Sequence, residues 1–443
     1  LAHYDPLTKL PNRFYLSVRL ELAIADAIRS GNAGALIYVD IDRFKNINES
    51  AGHSKGDELL QLVAVRLRDS MRQDDLVARL NGDEFAVLIQ GIGDVENVNR
   101  IVNKIKEAFE EKFVSRNSEY RLSTSLGVSL CPRDGETVED IFKNADIAVR
   151  NAKDKGGDIE TFYTQELNST TNRKIWLEKH LRNALEREEF VIHYQPQVRL
   201  VDGALTGAEA LLRWVHPEEG TISPGEFIPI AERSGLIIPI GDWVLENACI
   251  TAKRWLDTGL NLGHLAVNIA GPQITRGNLI KSCQNALSKS ALSPSLLELE
   301  VTEGFIMKDA ENSIEILESL RDLGIAMSID DFGTGYSSLS YLKRLPIDQL
   351  KIDRSFIKDI PENKDDIAIA KTIVSLGQNL GLSVIAEGVE TEEQRNFLLS
   401  LGCELAQGFL FHKPLSAEEF FDCFIESSMV EKNPNGFSTN SAA

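Results

Sequence analysis

Polar side chains recur at the carboxyl ends of apolar runs in the second half of the chain. These runs are typical of strands buried on both faces, which normally carry aliphatic residues. Glu209 in GAEALLRW, Asn268 in LAVNIA and Glu300 in LELEVTE show the pattern. The complete set is Glu209, Asn268, Glu300, Glu303, Asp330, Asp331, Lys351, Glu387 and Gln407.

The chemistry that suits this set is the binding of hard cations. Several carboxylates on one face would repel one another, and oxygen ligands of this kind suit Mg²⁺ or Mn²⁺. Two such ions sharing Asp330 would hold the attacking and leaving oxygens of a phosphodiester, while Lys351 orients the water between them. A single strand-end Glu is more often a helix cap or a surface ion pair, but recurrence on each strand favours the metal site.

A second candidate site lies in the run YVDIDRFKNINESAGHSKGD. Asp40 and Asp42 end an apolar strand, and Lys45 follows them, so carboxylates for Mg²⁺ and an ammonium for phosphate oxygens come together. The alternative for this run alone is a helix N-cap with a solvated Lys. The segment NGDEF adds Asp83 and Glu84, which could face the same strand end.

The elements that position these residues form two regions. In the first, apolar runs alternate with amphipathic stretches, and the Asn81-Gly82 dipeptide predicts a hairpin and therefore a mostly antiparallel sheet. Its predicted strands are Ala35–Ile41, Leu76–Arg79, Glu84–Ile89 and Leu122–Leu130, and its predicted helices are Asn12–Ile28, Gly56–Met71 and Val95–Phe113.

The second region alternates strands and helices over about 250 residues, which favours a closed (β/α)8 barrel. Its predicted strands are Val191–Gln195, Ala208–Trp214, Leu265–Ile269, Leu296–Thr302, Ile325–Asp331, Gln349–Asp353, Ser383–Glu387 and Glu404–Phe411. The predicted domains are a small α/β domain over 1–163, a linker helix over 164–178, the barrel over 179–428 and a disordered tail over 429–443.

Composition excludes several classes of protein. The 443 residues include 43% hydrophobic and 26% charged residues, as in an ordinary globular chain. The net charge of -20 argues against a protein that binds long nucleic acid through its phosphates. Five scattered cysteines predict neither a disulfide framework nor a zinc site. The chain opens on Leu1, so we expect cytoplasmic domains of a longer protein that can carry an upstream sensor domain and a membrane anchor.

The second region resembles the EAL family of cyclic di-GMP phosphodiesterases. The resemblance rests on YQPQV, EALLRW, SPGEFIPIAE, VNIA, LELEVTE, IDDFGTGYSSL, LKID, AEGVE and QGFLF, with Phe409 where the family usually has Tyr. It implies a TIM-like barrel, two Mg²⁺ or Mn²⁺ ions per site, and hydrolysis of cyclic di-GMP to linear pGpG.

The resemblance also implies a role for each site residue. Metal ligation falls to Glu209, Asn268, Glu300, Asp330, Asp331 and Glu387. Catalytic roles fall to Glu209, Asp331, Lys351 and Glu387, and Gln195, Arg213 and Gln407 would bind the dinucleotide. Glu303 would anchor the loop Asp331–Ser338, which in the family connects the metals to a dimer interface, so a homodimer is expected.

The first region resembles the GGDEF family of diguanylate cyclases through DPLTKLPNR, the strand-end run and NGDEF. The resemblance implies a GTP and metal site formed by Asp40, Lys45, Asn48, Asp57, Asp83, Glu84 and Lys153. Arg72 and Asp75 match the product-inhibition motif of the family, although a surface ion pair explains them equally well.

Three departures from the family pattern weaken the prediction of cyclase activity. Asn81 replaces the first glycine of the signature, Gly157 stands where an arginine usually meets phosphate, and Arg150 replaces a tyrosine. We therefore expect weak or absent cyclase activity, with GTP retained as a regulatory ligand of the phosphodiesterase. The alternatives are a bifunctional cyclase and phosphodiesterase, or a non-catalytic cyclic di-GMP receptor.

Overall fold

The computed structural model describes residues 3–92, 95–115, 118–306, 310–334 and 342–432. The chain divides into two compact units, Leu1–Ile175 and Trp176–Ala443. Residues 433–443 of the predicted tail and 335–338 of the predicted loop lie outside the described residues. Residues 429–432 continue a helix, so the prediction of disorder was wrong there. Within the described part of the chain, no helix combines the length and the apolar character that crossing a membrane requires.

The first unit is an α/β domain built on a five-stranded sheet. Its strands are β1 (Ala33–Ile41), β2 (Leu76–Asn81), β3 (Glu84–Ile92), β6 (Thr124–Cys131) and β7 (Glu160–Phe162), with a separate hairpin of β4 (Phe113–Ser115) and β5 (Ser118–Tyr120). Its helices are α1 (Arg13–Ser30), α2 (Phe44–Ala51), α3 (His53–Ser70), α4 (Val95–Glu110) and α5 (Val138–Asp154). The sheet order is β2-β3-β1-β6-β7, and only the β6–β7 pair is parallel, so the prediction of a mostly antiparallel sheet is confirmed.

Strand β1 is buried on both faces because helices cover both sides of the sheet. Ile37 and Val39 belong to the core cluster that includes residues of α3 and α4. Leu36 and Tyr38 belong to the cluster with α1 and α5. The strand is therefore held rigidly up to Asp40, the residue at its end.

The β2–β3 hairpin turns one residue later than the sequence predicts. Asn81 pairs with Glu84, so Gly82 and Asp83 form the turn, and Gly82 takes the positive φ of 48°. Asn81 ends β2 and needs no left-handed backbone. Glycine takes this conformation at the lowest cost because it has no Cβ, and the turn therefore settles on Gly82.

The second unit is a closed barrel of eight strands, which confirms the predicted TIM-like fold. The barrel strands are β8 (Phe190–Arg199), β9 (Leu205–His216), β11 (Leu265–Ile269), β12 (Leu297–Thr302), β13 (Ala326–Phe332), β14 (Gln349–Ile352), β15 (Ser383–Ala386) and β16 (Leu405–Ala406). A short strand, β10 (Gly220–Ile222), pairs antiparallel with the end of β9. The helices are α6 (Gln165–Ala184), which leads in from the first unit, α7 (Pro224–Ser234), α8 (Ile237–Asp257), α9 (Gly271–Thr275), α10 (Leu279–Ser290), α11 (Glu303–Ile306), α12 (Ala310–Asp322), α13 (Lys364–Leu380), α14 (Glu392–Leu401) and α15 (Ala417–Lys432).

Two details differ from a regular (β/α)8 barrel. Strand β8 runs antiparallel to both its neighbours, β9 and β16, because a tight turn rather than a helix joins β8 to β9. Gly203, with φ 73°, allows that turn. Strand β16 is short: pairing stops after Ala406, and the predicted strand over Glu404–Phe411 was too long. The remaining strands pair in parallel, so their carboxyl ends meet at one face of the barrel.

Candidate active site in the barrel

The ammonium group of Lys351 lies among four carboxylates at the carboxyl face of the barrel. Its Nζ is 2.6 Å from Glu300 Oε2, 2.6 Å from Glu387 Oε1, 3.2 Å from Asp330 Oδ1 and 3.7 Å from Glu209 Oε1. The Lys351 side chain is fully buried. Residues from five strands therefore meet at one point, as the sequence predicts, although Glu209 lies within β9 and not at its carboxyl end.

Burial and mutual repulsion shift the pKa values of these groups in different directions. Burial, together with the neighbouring carboxylates, raises the pKa of Glu300 well above its usual range and that of Glu387 to about 8. Burial alone would lower the pKa of Lys351, but the surrounding carboxylates outweigh it and raise that pKa. Lys351 is therefore a permanent cation, and the site holds fewer negative charges than its number of carboxyl groups suggests.

Glu209 is held in one orientation by two amide side chains. Asn268 Nδ2 donates to Glu209 Oε1 over 2.5 Å, and Gln407 Nε2 donates to Glu209 Oε2. The same amide group of Gln407 lies 3.0 Å from Gln195 Oε1. Burial opposes ionisation of Glu209, but Lys351 and these donors outweigh it and lower its pKa. The ionised form of Glu209 is thus favoured, and its carboxylate is held in one orientation.

The best-formed candidate metal site is the group of Asp330, Asp331 and Glu387. One carboxylate oxygen from each lies within 4.8 Å of the others. Asp331 adopts φ 54°, and its amide donates to Asp330 Oδ1 over 3.0 Å, so a strained backbone turns both side chains to the same side. Burial and the adjacent Asp330 raise the pKa of Asp331 to about 6. An all-oxygen set whose members repel one another fits Mg²⁺ or Mn²⁺.

A cavity of about 360 Å³ opens beside these carboxylates. Gln195 and Arg213, the predicted dinucleotide-binding residues, line it together with Glu209, Asn268, Asp330, Glu387 and Gln407. Arg213 is half-buried, and burial lowers the pKa of its guanidinium, which remains charged. Phe409, the departure from the family pattern, is half-exposed at the rim.

An ion pair that the sequence did not predict lies at the edge of this cavity. Arg354 Nη2 donates to Glu390 Oε1 over 2.7 Å, and both residues line the cavity. Gly388, with φ 68°, lies against the stem of Arg354, where a Cβ would come within 2.3 Å of Arg354 Cγ. Arg354 directly follows the motif LKID, and Gly388 and Glu390 belong to the motif AEGVE, which is the signal that could have pointed to them.

Glu303 lies beneath the loop that follows β13. Its Oε2 accepts a hydrogen bond of 2.8 Å from the amide of Gly333, and the side chain is buried. Within the described part of the predicted loop, residues 331–334, this contact joins the start of α11 to the residue that follows Phe332 at the end of β13. The role of an anchor stays a prediction, although the hydrogen bond is compatible with it.

In the first unit, the end of β1 lies beside the hairpin. Asp40 pairs with Glu84 across β1 and β3, and Lys153 Nζ lies 2.5 Å from Asp40 Oδ2. Burial, only partly offset by Lys153, raises the pKa of Asp40 to about 6. Glu84 also lines a larger groove of about 1130 Å³ between α1 and α5, with Asp146 and Arg150.

A smaller pocket of about 340 Å³ gathers other predicted GTP residues. Lys45, Asn48 and Asp83 line it. Asp57 is exposed on α3 and is absent from that lining within the described residues. Gly56 lies against Asn48, where a Cβ would come within 2.0 Å of the Asn48 Oδ1 atom. The structure therefore groups three of these residues and leaves Asp57 outside.

The structure explains one of the three departures in this domain. Gly157 has φ 83°, and a Cβ there would come within 3.0 Å of Asp42. Asp42 accepts hydrogen bonds from Ser123, Ser125 and the backbone amide of Asp158, over 2.8, 2.6 and 3.0 Å.

Arg150, another of the departures, forms an ion pair with Asp146 on its own helix at 2.9 Å. In the predicted inhibitory motif, Asp75 accepts a hydrogen bond from the amide of Arg72 over 3.0 Å.

Both units match known domain families. Residues 178–414 match the EAL domain, and residues 2–158 match the diguanylate cyclase GGDEF domain. The chain is 47% identical over 419 residues to the bifunctional diguanylate cyclase/cyclic di-GMP phosphodiesterase MucR of Pseudomonas aeruginosa, and 40% identical over 427 residues to the cyclic di-GMP phosphodiesterase NbdA of the same organism. These matches cover 95% and 96% of the chain, but 61% and 54% of the two relatives.

A solved structure of the MucR phosphodiesterase in complex with c-di-GMP is 52% identical. The match covers 55% of this chain and 99% of that one, with a TM-score of 0.54. The matched domains follow each other in the same order as the two units described above. The chain therefore belongs to the family of proteins in which a GGDEF domain is followed by an EAL domain.

Proposed function

We propose that the barrel hydrolyses cyclic di-GMP to linear pGpG, with two Mg²⁺ or Mn²⁺ ions in each site. The observation that carries the proposal is the convergence of Glu209, Glu300, Asp330 and Glu387 on Lys351 beside a cavity that contains Arg213. The relatives MucR and NbdA, named for this activity, and a neighbour bound to c-di-GMP support it. A receptor without activity is less compatible with a complete set of ligands.

In this proposal each protein group has a defined task. Asp330, Asp331 and Glu387, with Glu209, Asn268 and Glu300, would hold the cations. Bound cations lower the pKa of water and neutralise charge on a phosphodiester. Lys351 would hold the attacking water in line and balance the carboxylates. Arg213 would contact a phosphate with its planar guanidinium, and Gln195 and Gln407 would orient the dinucleotide.

The test is product analysis of cyclic di-GMP turnover by the wild type and by Glu209→Ala. We expect linear pGpG from the wild type and a loss of hydrolysis rate of at least about 100-fold in the variant. Mutation of residues that only support metal ligands already lowers metal affinity or activity by about 10- to 100-fold. Glu315→Ala, an exposed carboxylate on α12, is the matched control and should retain activity. Full activity in Glu209→Ala would refute the site assignment.

We also propose that the first unit binds GTP with little cyclase activity and regulates the barrel. Lys45, Asn48 and Asp83 share one pocket, whereas Gly157 offers no side chain for phosphate. Assays of cyclic di-GMP hydrolysis should show a rate that changes with GTP, and GTP with Mg²⁺ should yield little cyclic dinucleotide. A rate that is the same at every GTP concentration refutes the regulatory role, and rapid cyclic dinucleotide synthesis favours the bifunctional alternative.

A further inference from the structure

Beneath the residues of the active site, the same strands carry a second set of polar side chains. Side chains alternate along a strand, so a residue two positions from an inward-facing one also faces inward. We call Gln195, Glu300, Asp330 and Lys351 the upper layer. The lower layer lies two positions away on the same four strands and consists of Gln197, Glu298, Ser328 and Gln349.

The strand register places most of these residues side by side. Ser328 pairs with Glu300 on one side and with Gln349 on the other. Glu298 lies one inward position below Glu300 on β12. Leu297 and Leu299, on the alternate positions of that strand, belong to the apolar core of the barrel. Ser328 and Gln349 are therefore neighbours on β13 and β14, Glu298 lies below Glu300 on β12, and Gln197 lies on β8, which is not adjacent to these strands.

Each member of the lower layer has a buried polar atom that makes no hydrogen bond within the described part of the chain. These atoms are Gln197 Nε2, Glu298 Oε1, Ser328 Oγ and Gln349 Oε1. The relative exposure of the four residues is 0%, 5%, 0% and 3%. Barrel interiors are usually filled with Val, Ile and Leu, and buried polar atoms nearly always have a partner. Four such atoms in one layer point to a bound polar occupant.

The types of atom identify the occupant. Gln197 Oε1 lies 2.5 Å from the ring nitrogen Nε2 of His264, which leaves the amide nitrogen of Gln197 as an unsatisfied donor. Glu298 and Gln349 offer acceptors, and the Ser328 hydroxyl can do both. A metal ion cannot accept a hydrogen bond from an amide, whereas water both donates and accepts. Buried waters typically make about three hydrogen bonds to such groups.

We propose that the lower layer binds a cluster of ordered water molecules that positions Glu300 from below. Glu300 Oε2 contacts Lys351, while its Oε1 also has no hydrogen-bond partner within the described residues. Ser328 is the register neighbour of Glu300, and Gln349 is the register neighbour of Ser328, so water bound to these two side chains would reach that oxygen. Ser328 and Gln349 are thus positioning residues for a carboxylate that holds Lys351 and, under the proposed function on which this inference rests, a metal ion.

The experiment replaces single polar groups with apolar groups of similar shape. Gln349→Met and Ser328→Ala remove one partner each, and Ser290→Ala removes a buried hydroxyl from α10, outside the barrel interior. We measure Mg²⁺ affinity by calorimetry, kcat and KM for cyclic di-GMP, and the thermal midpoint of unfolding. A crystal structure of the wild type at high resolution locates water at the four atoms.

If the inference holds, both lower-layer variants weaken Mg²⁺ binding by about 10- to 100-fold and lower kcat, with little change in KM. Ser290→Ala matches the wild type in these three quantities. Wild-type Mg²⁺ affinity and kcat in both variants would overturn the positioning role, and an interior without ordered water at these atoms would overturn the cluster. A wild type that binds Mg²⁺ but does not hydrolyse cyclic di-GMP refutes the proposed function and not this inference. Calorimetry and crystallography test the inference without any measurement of turnover.

Discussion

At the scale of single residues, Lys351 determines how the carboxylates coexist. Glu300 and Glu387 each lie 2.6 Å from its ammonium, and all three side chains are largely or fully removed from solvent. A buried charge is tolerated only when it is paired, so the lysine and the carboxylates stabilise one another. The same arrangement leaves the carboxylates on the cavity side available to cations.

Substitution of Lys351 by Met tests this balance. We expect the free energy of unfolding of the metal-free barrel to fall by about 3–5 kcal/mol, because removal of one partner leaves buried charges without compensation. Hydrolysis should be lost as well. Denaturant titration with and without Mg²⁺ measures the effect, and Lys371→Met, on an exposed position of α13, is the control. Unchanged stability would mean that the carboxyl groups are already neutral.

The pKa values also predict how metal binding depends on pH. In the metal-free protein, burial raises the pKa of Asp331 to about 6 and that of Glu387 to about 8. Metal ions bind the deprotonated form, so Mg²⁺ affinity should rise between about pH 6 and pH 8, by up to roughly tenfold per unit for each group still protonated. Calorimetry in buffers of different ionisation enthalpy should detect proton release. Affinity that is constant over this range contradicts the prediction.

The same pKa shifts predict whether the metal-free barrel gains or loses stability as the pH rises. A carboxyl group whose folded-state pKa is raised stabilises the folded state at low pH, and this contribution disappears as the pH rises through that pKa. The metal-free barrel should therefore lose stability as the pH rises from about 4 to about 8, because the contribution of Asp331 is lost by about pH 6 and that of Glu387 is lost by about pH 8. Mg²⁺ should raise the thermal midpoint more at pH 8 than at pH 6. The opposite order would show that other groups dominate.

At the scale of elements, the hairpin of the first unit is held by the segment before α1. Arg79 donates to Gly82 O through Nε and Nη2, over 3.0 and 2.7 Å, and to Asp5 Oδ1 over 2.9 Å. Burial would raise the pKa of Asp5, but hydrogen bonds from Thr8 and Arg79 outweigh it and lower that pKa. The motif DPLTKLPNR therefore fixes the turn that carries Asp83 and Glu84.

Arg79→Ala should loosen this turn without disturbing the barrel. We expect a loss of about 1–3 kcal/mol in the stability of the first unit, because a partly buried carboxylate and a carbonyl lose their donors. GTP binding should weaken, while cyclic di-GMP hydrolysis without GTP stays at the wild-type rate. Equilibrium binding and hydrolysis assays measure both quantities, with the exposed Arg100→Ala as control. Wild-type GTP affinity would show that the turn is not positioned by this contact.

At the scale of the whole molecule, the two units have separate hydrophobic cores. The clusters around β1 draw on residues up to Phe162, whereas the barrel cluster begins at Trp176. The four tryptophans, at positions 176, 214, 243 and 255, all lie in the barrel unit. Tryptophan fluorescence therefore reports on the barrel alone, and far-ultraviolet circular dichroism reports on both units.

Unfolding in urea should accordingly differ between the two probes. Leu126→Ala, in the first core, should shift part of the circular dichroism transition and leave the fluorescence transition in place. Leu299→Ala should shift the fluorescence transition. Each substitution should lower the free energy of unfolding of its unit by about 2–5 kcal/mol, as is usual for truncation of a buried leucine. Coincident transitions that move together in both variants would show that the units unfold as one.

Much of the barrel site followed from the sequence because it depends on local rules. Strand patterns place Asn268, Glu300 and Lys351 near the carboxyl ends of their strands, and a barrel brings such ends to one face. Glu209 lies within the longer strand β9 and still meets Lys351. The pair of Arg354 and Glu390 was not predicted in this way, because both residues lie beyond the ends of β14 and β15, where strand periodicity no longer fixes the direction of a side chain.

The sequence by itself determined the two-domain organisation, the closed barrel and the set of polar residues on the barrel strands, since periodicity and residue type are local properties. Only the tertiary structure decided which groups share a charge and which atoms lack partners. Lys351 at the centre of four carboxylates, the turn at Gly82 and the lower layer of Ser328 and Gln349 depend on strand register and burial. Those properties arise when distant strands pair, and the order of residues along the chain does not specify them.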